Sequence, residues 1–173
     1  VHGTVGTAYV EALATRAAAS GVHVVDAPVS GGDRALTSEL LVIVGGDDDA
    51  CERCAPMFAT YAGEVVRVGR AGAAQSAKVV HNNLYIGIAG LVFDALRVGE
   101  ALGIDADGLG RILEGGAAAT LVFPSIIGLG EEQFAIRAWP TLHKDLDLGR
   151  PLAVRTGGEE LPLFVAARAA IAH

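Results

Sequence analysis

The sequence predicts an α/β segment that runs without a linker into an all-α segment. Three observations carry that expectation. Short β-branched runs alternate with helical spacing up to Gly69, no strand-like run follows, and one apolar helical pattern of about thirty residues begins at Gly72.

Residues 4 to 20 are alanine-rich, with Val10, Leu13 and Ala17 at helical spacing, and Gly21 stands where a helix-ending glycine belongs. Val22 to Val25 is a β-branched run that Asp26-Ala27-Pro28 ends, and is expected as a strand. Leu40 to Val44 is a second strand, closed by Gly45-Gly46. Asp47, Asp48 and Asp49 then suit the first turn of a helix reaching about Ala62, because acidic groups are favourable at a helix N-terminus. Val65 to Val68 is a third strand. Beyond Gly69 the pattern is helical only, which sets the expected division at 1–69 and 70–173. A long helix of roughly 45 Å spans Gly72 to Leu102. A second helix follows Asp105 as N-cap, with Leu109, Ile112 and Leu113 on one face. Gly115 to Gly130 reads as loop, and residues 134 to 148 and 159 to 172 as helices. Pro151 is expected to kink or end the first of these.

The charge balance excludes some classes of function. Thirteen basic residues stand against twenty acidic ones, net −7, with no Lys/Arg run that could track a phosphate backbone. The most apolar stretch, Leu84 to Phe93, is interrupted by Asp94 and reads as a buried helix, short of a membrane span. No basic segment followed by an apolar one opens the chain, so the expected compartment is the cytoplasm. Cys51 and Cys54 form a CxxC without a second pair or nearby histidines, and read as two ordinary thiols; no metal is expected.

Arginine outnumbers lysine 11 to 2. The two lysines, Lys78 and Lys144, are therefore candidates for places where an ammonium specifically matters, since only lysine readily gives up its proton when desolvated. Lys78 and Asn82 are four apart on the long helix and share a face. An amine and an amide so placed can handle a hydroxyl, the lysine moving its proton and the asparagine orienting the oxygen or the amine. Burial is expected to lower the Lys78 pKa. Ser30-Gly31-Gly32, after a proline-fixed turn, offers a hydroxyl and backbone N–H groups to a carboxylate or phosphate; a tight structural turn is the competing reading.

The succession DAPVSGG, VGG, VGRAGAAQSAKVVHNN and HKDLDL resembles the β-hydroxyacid dehydrogenase family, relatives of 6-phosphogluconate dehydrogenase. The resemblance implies hydride transfer between NAD or NADP and a small 3-hydroxy acid or semialdehyde. It implies Lys78 as general acid/base with Asn82 beside it, Ser30, Gly31 and Gly32 on the substrate carboxylate, and Lys144 toward the cofactor. It further implies the second half of a Rossmann-type nucleotide-binding domain leading into a helical substrate and dimerisation domain, with a homodimer or higher homo-oligomer as the assembly. The family's GxGxxG turn does not occur, so Val1 is expected to fall partway through that nucleotide-binding domain and the chain to be inactive by itself. The alternative is a non-enzymatic remnant that oligomerises or binds small acids.

Overall fold

The computed structural model describes residues 1–171, apart from the side chain of Asp33. It divides into two compact units, Val1–His81 and Asn82–His173.

The first unit holds all the strands found among the described residues. Helix α1 (Thr7–Ala18) is followed by β1 (Val29–Ser30), a 3₁₀ turn (Gly32–Thr37), β2 (Leu40–Gly45), α2 (Asp48–Phe58) and β3 (Ala62–Gly69). The sheet order is β1-β2-β3, antiparallel between β1 and β2 and parallel between β2 and β3. A parallel pair needs a crossover, and α2 provides it. Its cap is the expected one: Asp47 accepts the Ala50 N–H at 3.2 Å. Val42, Val44, Cys51 and Phe58 form the apolar core of this unit together with Ala27.

The expected strand at Val22 to Val25 is not formed. Pairing here reduces to a single bridge between Asp26 and Gly45 and to bonds made by Val1, whose ammonium donates to Val25 O and whose carbonyl accepts from Ala27 N–H. A ladder requires successive paired residues, and β2 pairs with Asp26, Pro28, Val29 and Ser30, beyond the end of the Val22 to Val25 run.

Helix α3 (Ala73–Ala101) is the expected long helix, 29 residues. Stopping the apolar run at Asp94 understated it. By length and composition alone α3 is long and apolar enough to cross a membrane, and 44% of its apolar stretch is buried inside the fold. The second unit continues with α4 (Ala106–Gly115), capped by Asp105 on Gly108 N–H at 2.7 Å, α5 (Phe123–Thr156) and α6 (Pro162–Ile171). The last residue of the expected final helix, Ala172, lies outside the described residues.

Two expectations fail in α5. The expected loop to Gly130 is helical from Phe123, because Val122, Phe123 and Ile126 are buried with Phe93 and Phe134; at Gly130, with φ 72° and ψ 163°, α5 kinks and is two helices joined end to end. Pro151 does not end the helix, which continues to Thr156. Pro151 is exposed, so the carbonyl its ring leaves without an N–H partner can turn to water, while Gly149 and Ala153 on either side stay buried.

Candidate functional site

In the first unit the site elements are tied down by Asp26, which is fully buried. Its Oδ2 accepts the backbone N–H groups of Gly72 at 3.2 Å and Gln75 at 3.0 Å, and its Oδ1 accepts the Gln75 side-chain amide at 2.8 Å. These backbone donors belong to the start of α3, where the helix itself has no acceptor to offer. Gln75 is also fully buried; its Oε1 accepts Val5 N–H at 2.8 Å and its amide donates to Gly3 O at 3.0 Å. The first turn of α3 is thereby fixed to the segment ahead of α1, and Lys78 follows three residues after Gln75, only 8% exposed.

Ser30 ends β1, paired with Leu41, and is half-buried. Gly31 and Gly32 take φ of 135° and 52°, a backbone region that side chains resist, and both are exposed. A Cβ on Gly31 would stand 3.1 Å from Leu40 Cδ2 and 3.3 Å from Arg34 Cβ. The turn thus keeps an accessible backbone beside a hydroxyl.

In the second unit Asn82, 7% exposed, donates its amide Nδ2–H to Asp145 Oδ2. Asp145 is 2% exposed and sits in the HKDLDL segment of α5. Lys144, half exposed, holds its ammonium 3.5 Å from Asp145 Oδ1, which accepts no hydrogen bond. The approach of α3 to α5 here depends on Gly149: a Cβ at that position would be 2.7 Å from the Asn83 amide nitrogen.

Of the six residues singled out from the sequence, Ser30, Gly31, Gly32 and Lys78 belong to the first unit, and Asn82 and Lys144 to the second. Lys78 and Asn82 are both buried and lie one turn apart on α3, while Asn82 and Lys144 meet at one carboxylate. That carboxylate, Asp145, was missed, as was Asp26. An aspartate at i+1 from a lysine in an amphipathic run looks like a surface charge, and only the packing of α3 on α5 shows otherwise. His81 is exposed. Cys51 is buried and Cys54 partly so, with both thiols free; burial pushes the Cys51 thiol up from its ordinary value.

Comparison with known proteins finds relatives of the chain. Residues 1–69 match the family model described as the NAD binding domain of 6-phosphogluconate dehydrogenase. Over 128 residues the chain is 34% identical to an uncharacterized oxidoreductase of Mycobacterium tuberculosis, covering 70% of this chain and 43% of that protein. Over 143 residues it is 33% identical to the NAD-dependent L-serine dehydrogenase of Pseudomonas aeruginosa, covering 77% and 48%. The solved structure of Mycobacterium tuberculosis 3-hydroxyisobutyrate dehydrogenase with L-serine superposes at a TM-score of 0.81 and 25% identity, over 96% of this chain and 61% of that one. The chain belongs to the β-hydroxyacid dehydrogenase family. It spans about half the length of the curated relatives it matches. For a β-hydroxyacid dehydrogenase-type chain the observed order, a small sheet followed by helices around one long helix, is the expected architecture.

Proposed function

We propose that this chain carries the substrate-handling residues of an NAD(P)-dependent oxidoreductase that interconverts a small 3-hydroxy acid and its semialdehyde. The observation that carries the reading is the burial of Lys78 and Asn82, 8% and 7% exposed and one turn apart on α3, in a chain with only two lysines. A lysine and an asparagine on a solvated helix face would be exposed. Each is instead shielded from solvent on a mostly apolar helix, as a group that passes a proton out of reach of bulk water must be.

In this reading Ser30 Oγ and the backbone around Gly31 and Gly32 hold the substrate carboxylate, whose position is set by the left-handed glycine turn. Lys78 takes the hydroxyl proton in the oxidation direction and returns it in reduction, and Asn82 orients the same oxygen. The nicotinamide, when bound, accepts or supplies the hydride at the β-carbon. The donor chemistry of the chain fits such a cofactor in part: Lys144 carries an ammonium at the surface beside Asp145, suited to an anionic or carboxamide group. Assayed with the nucleotide-binding half of a relative joined ahead of Val1, the protein is expected to reduce NAD or NADP with a small 3-hydroxy acid. Lys78→Ala should lower kcat by about 10²–10⁴-fold, the usual worth of a positioned acid or base. Unchanged kcat in that variant removes Lys78 from the role.

One observation favours self-association under this reading and under the alternative of a non-enzymatic module. Leu84, Leu91 and Val98 recur every seven residues on α3 and are 53%, 63% and 59% exposed. Such a stripe is the pattern that a second helix covers, supporting a homodimer or higher homo-oligomer. Sedimentation of the wild-type chain against Leu91→Glu tests it, with a monomeric wild type as the outcome against.

A further inference from the structure

We infer that Arg34 supplies the charge of the Ser30-Gly31-Gly32 turn: its guanidinium pairs with the carboxylate of the acid bound there, and makes the turn select an ionised acid over a neutral compound of the same shape. The inference rests on the reading that this turn holds the substrate carboxylate.

The backbone places Arg34 beside the turn. Its N–H donates to Gly31 O at 3.0 Å, closing a tight turn of which Gly31 is the first residue and Arg34 the last. Its own carbonyl accepts the Glu39 N–H at 3.0 Å and the Thr37 hydroxyl at 3.2 Å, so the residue is fastened on both sides. The side chain then follows the glycine. A Cβ on Gly31 would stand 3.3 Å from Arg34 Cβ and 3.6 Å from Arg34 Cδ, so the arginine stem fills the space that a side chain at position 31 would take. The guanidinium begins one bond beyond that Cδ, and Arg34 is exposed, as are Gly31 and Gly32. The stem lies on the turn and the charged head stays at the surface beside it.

The protein does not use that charge for itself. Glu39, which ends the same loop, gives Oε2 to the Thr37 hydroxyl at 2.9 Å, and none of the ion pairs among the described residues includes Arg34. An anion at this turn has need of it. A hydroxyl and backbone N–H groups offer partial charges only, and water offers the same to an exposed carboxylate. The chain carries a net −7, which repels anions at long range, and no other basic residue lies between His23 and Arg53. A guanidinium keeps its proton at every working pH and presents a planar fork that matches both oxygens of a carboxylate. Each of those oxygens has two lone pairs, so the fork and the donors of the turn can be accepted together. A carboxamide or ester of the same shape has no charge for the fork to meet.

The test compares propionate with propionamide, alike in shape and different in charge, by calorimetry or chemical-shift titration on the full chain. Arg34→Gln keeps the stem as far as Cδ, and with it the contact on Gly31. It should weaken propionate about five-fold, the upper range for an exposed ion pair, and leave propionamide within about two-fold. Arg34→Lys should recover part of the loss, since it keeps the charge without the fork. Added salt should weaken propionate binding to the wild type and change that of Arg34→Gln far less. Arg16→Gln, the same change of net charge on α1, should alter neither affinity. An equal loss in Arg16→Gln, or a loss in Arg34→Gln that strikes both probes alike, overturns the inference. Ser30→Ala separates it from the reading beneath. Propionate affinity that falls in Ser30→Ala but not in Arg34→Gln overturns the inference and leaves the turn as the carboxylate site. A wild type that binds both probes equally, or neither, overturns that reading and the inference with it.

Discussion

Asp26 and Asp145 are both buried aspartates, one in each unit, and they are held in opposite ways. Asp26 accepts three hydrogen bonds from Gly72 and Gln75, all supplied by its own unit and two of them from the backbone at the start of a helix. Asp145 accepts one side-chain amide, faces a half-exposed lysine across 3.5 Å, and leaves one oxygen without a hydrogen bond. A carboxylate whose oxygens are answered by backbone donors belongs to the architecture, since those donors cannot move without the helix. One answered only by side chains is held by groups that can turn without moving a helix. The first unit uses its buried charge to fix the start of α3, and the second joins α3 to α5 through a side-chain bond at its own.

The contrast is broken most easily at Asp26. Asp26→Ala should orphan two N–H groups of α3 and the Gln75 amide, lowering the unfolding free energy by about 3–5 kcal/mol in chemical denaturation, as breaking a buried charged network does. Asp145→Leu should cost less, about 1–3 kcal/mol, because it takes the acceptor from one buried amide where Asp26→Ala takes it from three donors, and Lys144 is half exposed and can turn to water. Equal losses in the two variants would erase the distinction. A smaller effect is expected at the turn. Gly31→Ala forces a side chain into φ 135° with Leu40 Cδ2 at 3.1 Å, and should cost about 1–3 kcal/mol by the same measurement. Propionate affinity should fall with it if the turn holds the carboxylate, whereas Gly103→Ala, at φ 71° in the second unit, should leave that affinity unchanged. The smallest effect concerns the thiols. Burial pushes the Cys51 thiol up, so at mildly alkaline pH less of it is thiolate than an ordinary cysteine would have. A maleimide or disulfide reagent should label Cys54 several-fold faster than Cys51, read by mass spectrometry of the peptides. Equal rates would show that α2 opens faster than the reagent reacts.

Much of this architecture was legible beforehand, and where it was not the reasons are physical. The strands β2 and β3 with the capped helix between them, and the length of α3, follow from patterns local in the chain: a β-branched run, a run of aspartates at a helix start, an apolar repeat. Val22 to Val25 shows the limit, because strand propensity is local and pairing is not. The helix over residues 123 to 130 was hidden for the converse reason. Its small residues and Pro124 suit a loop, and only the burial of Phe123 and Ile126 against Phe93 and Phe134 decides for helix.

The candidate site divides along the same line. Residue type and spacing alone singled out Lys78, Asn82, Lys144 and the Ser30-Gly31-Gly32 turn, because scarce lysines, an i,i+4 pair and a double glycine are properties of the chain. What tertiary structure decided was which buried acid each element answers to. Asp26 and Asp145 lie 46 and 63 residues from Gly72 and Asn82, the groups they bond. No periodicity reaches across such separations, and a buried aspartate is told from a solvated one only by the donors that folding brings to it.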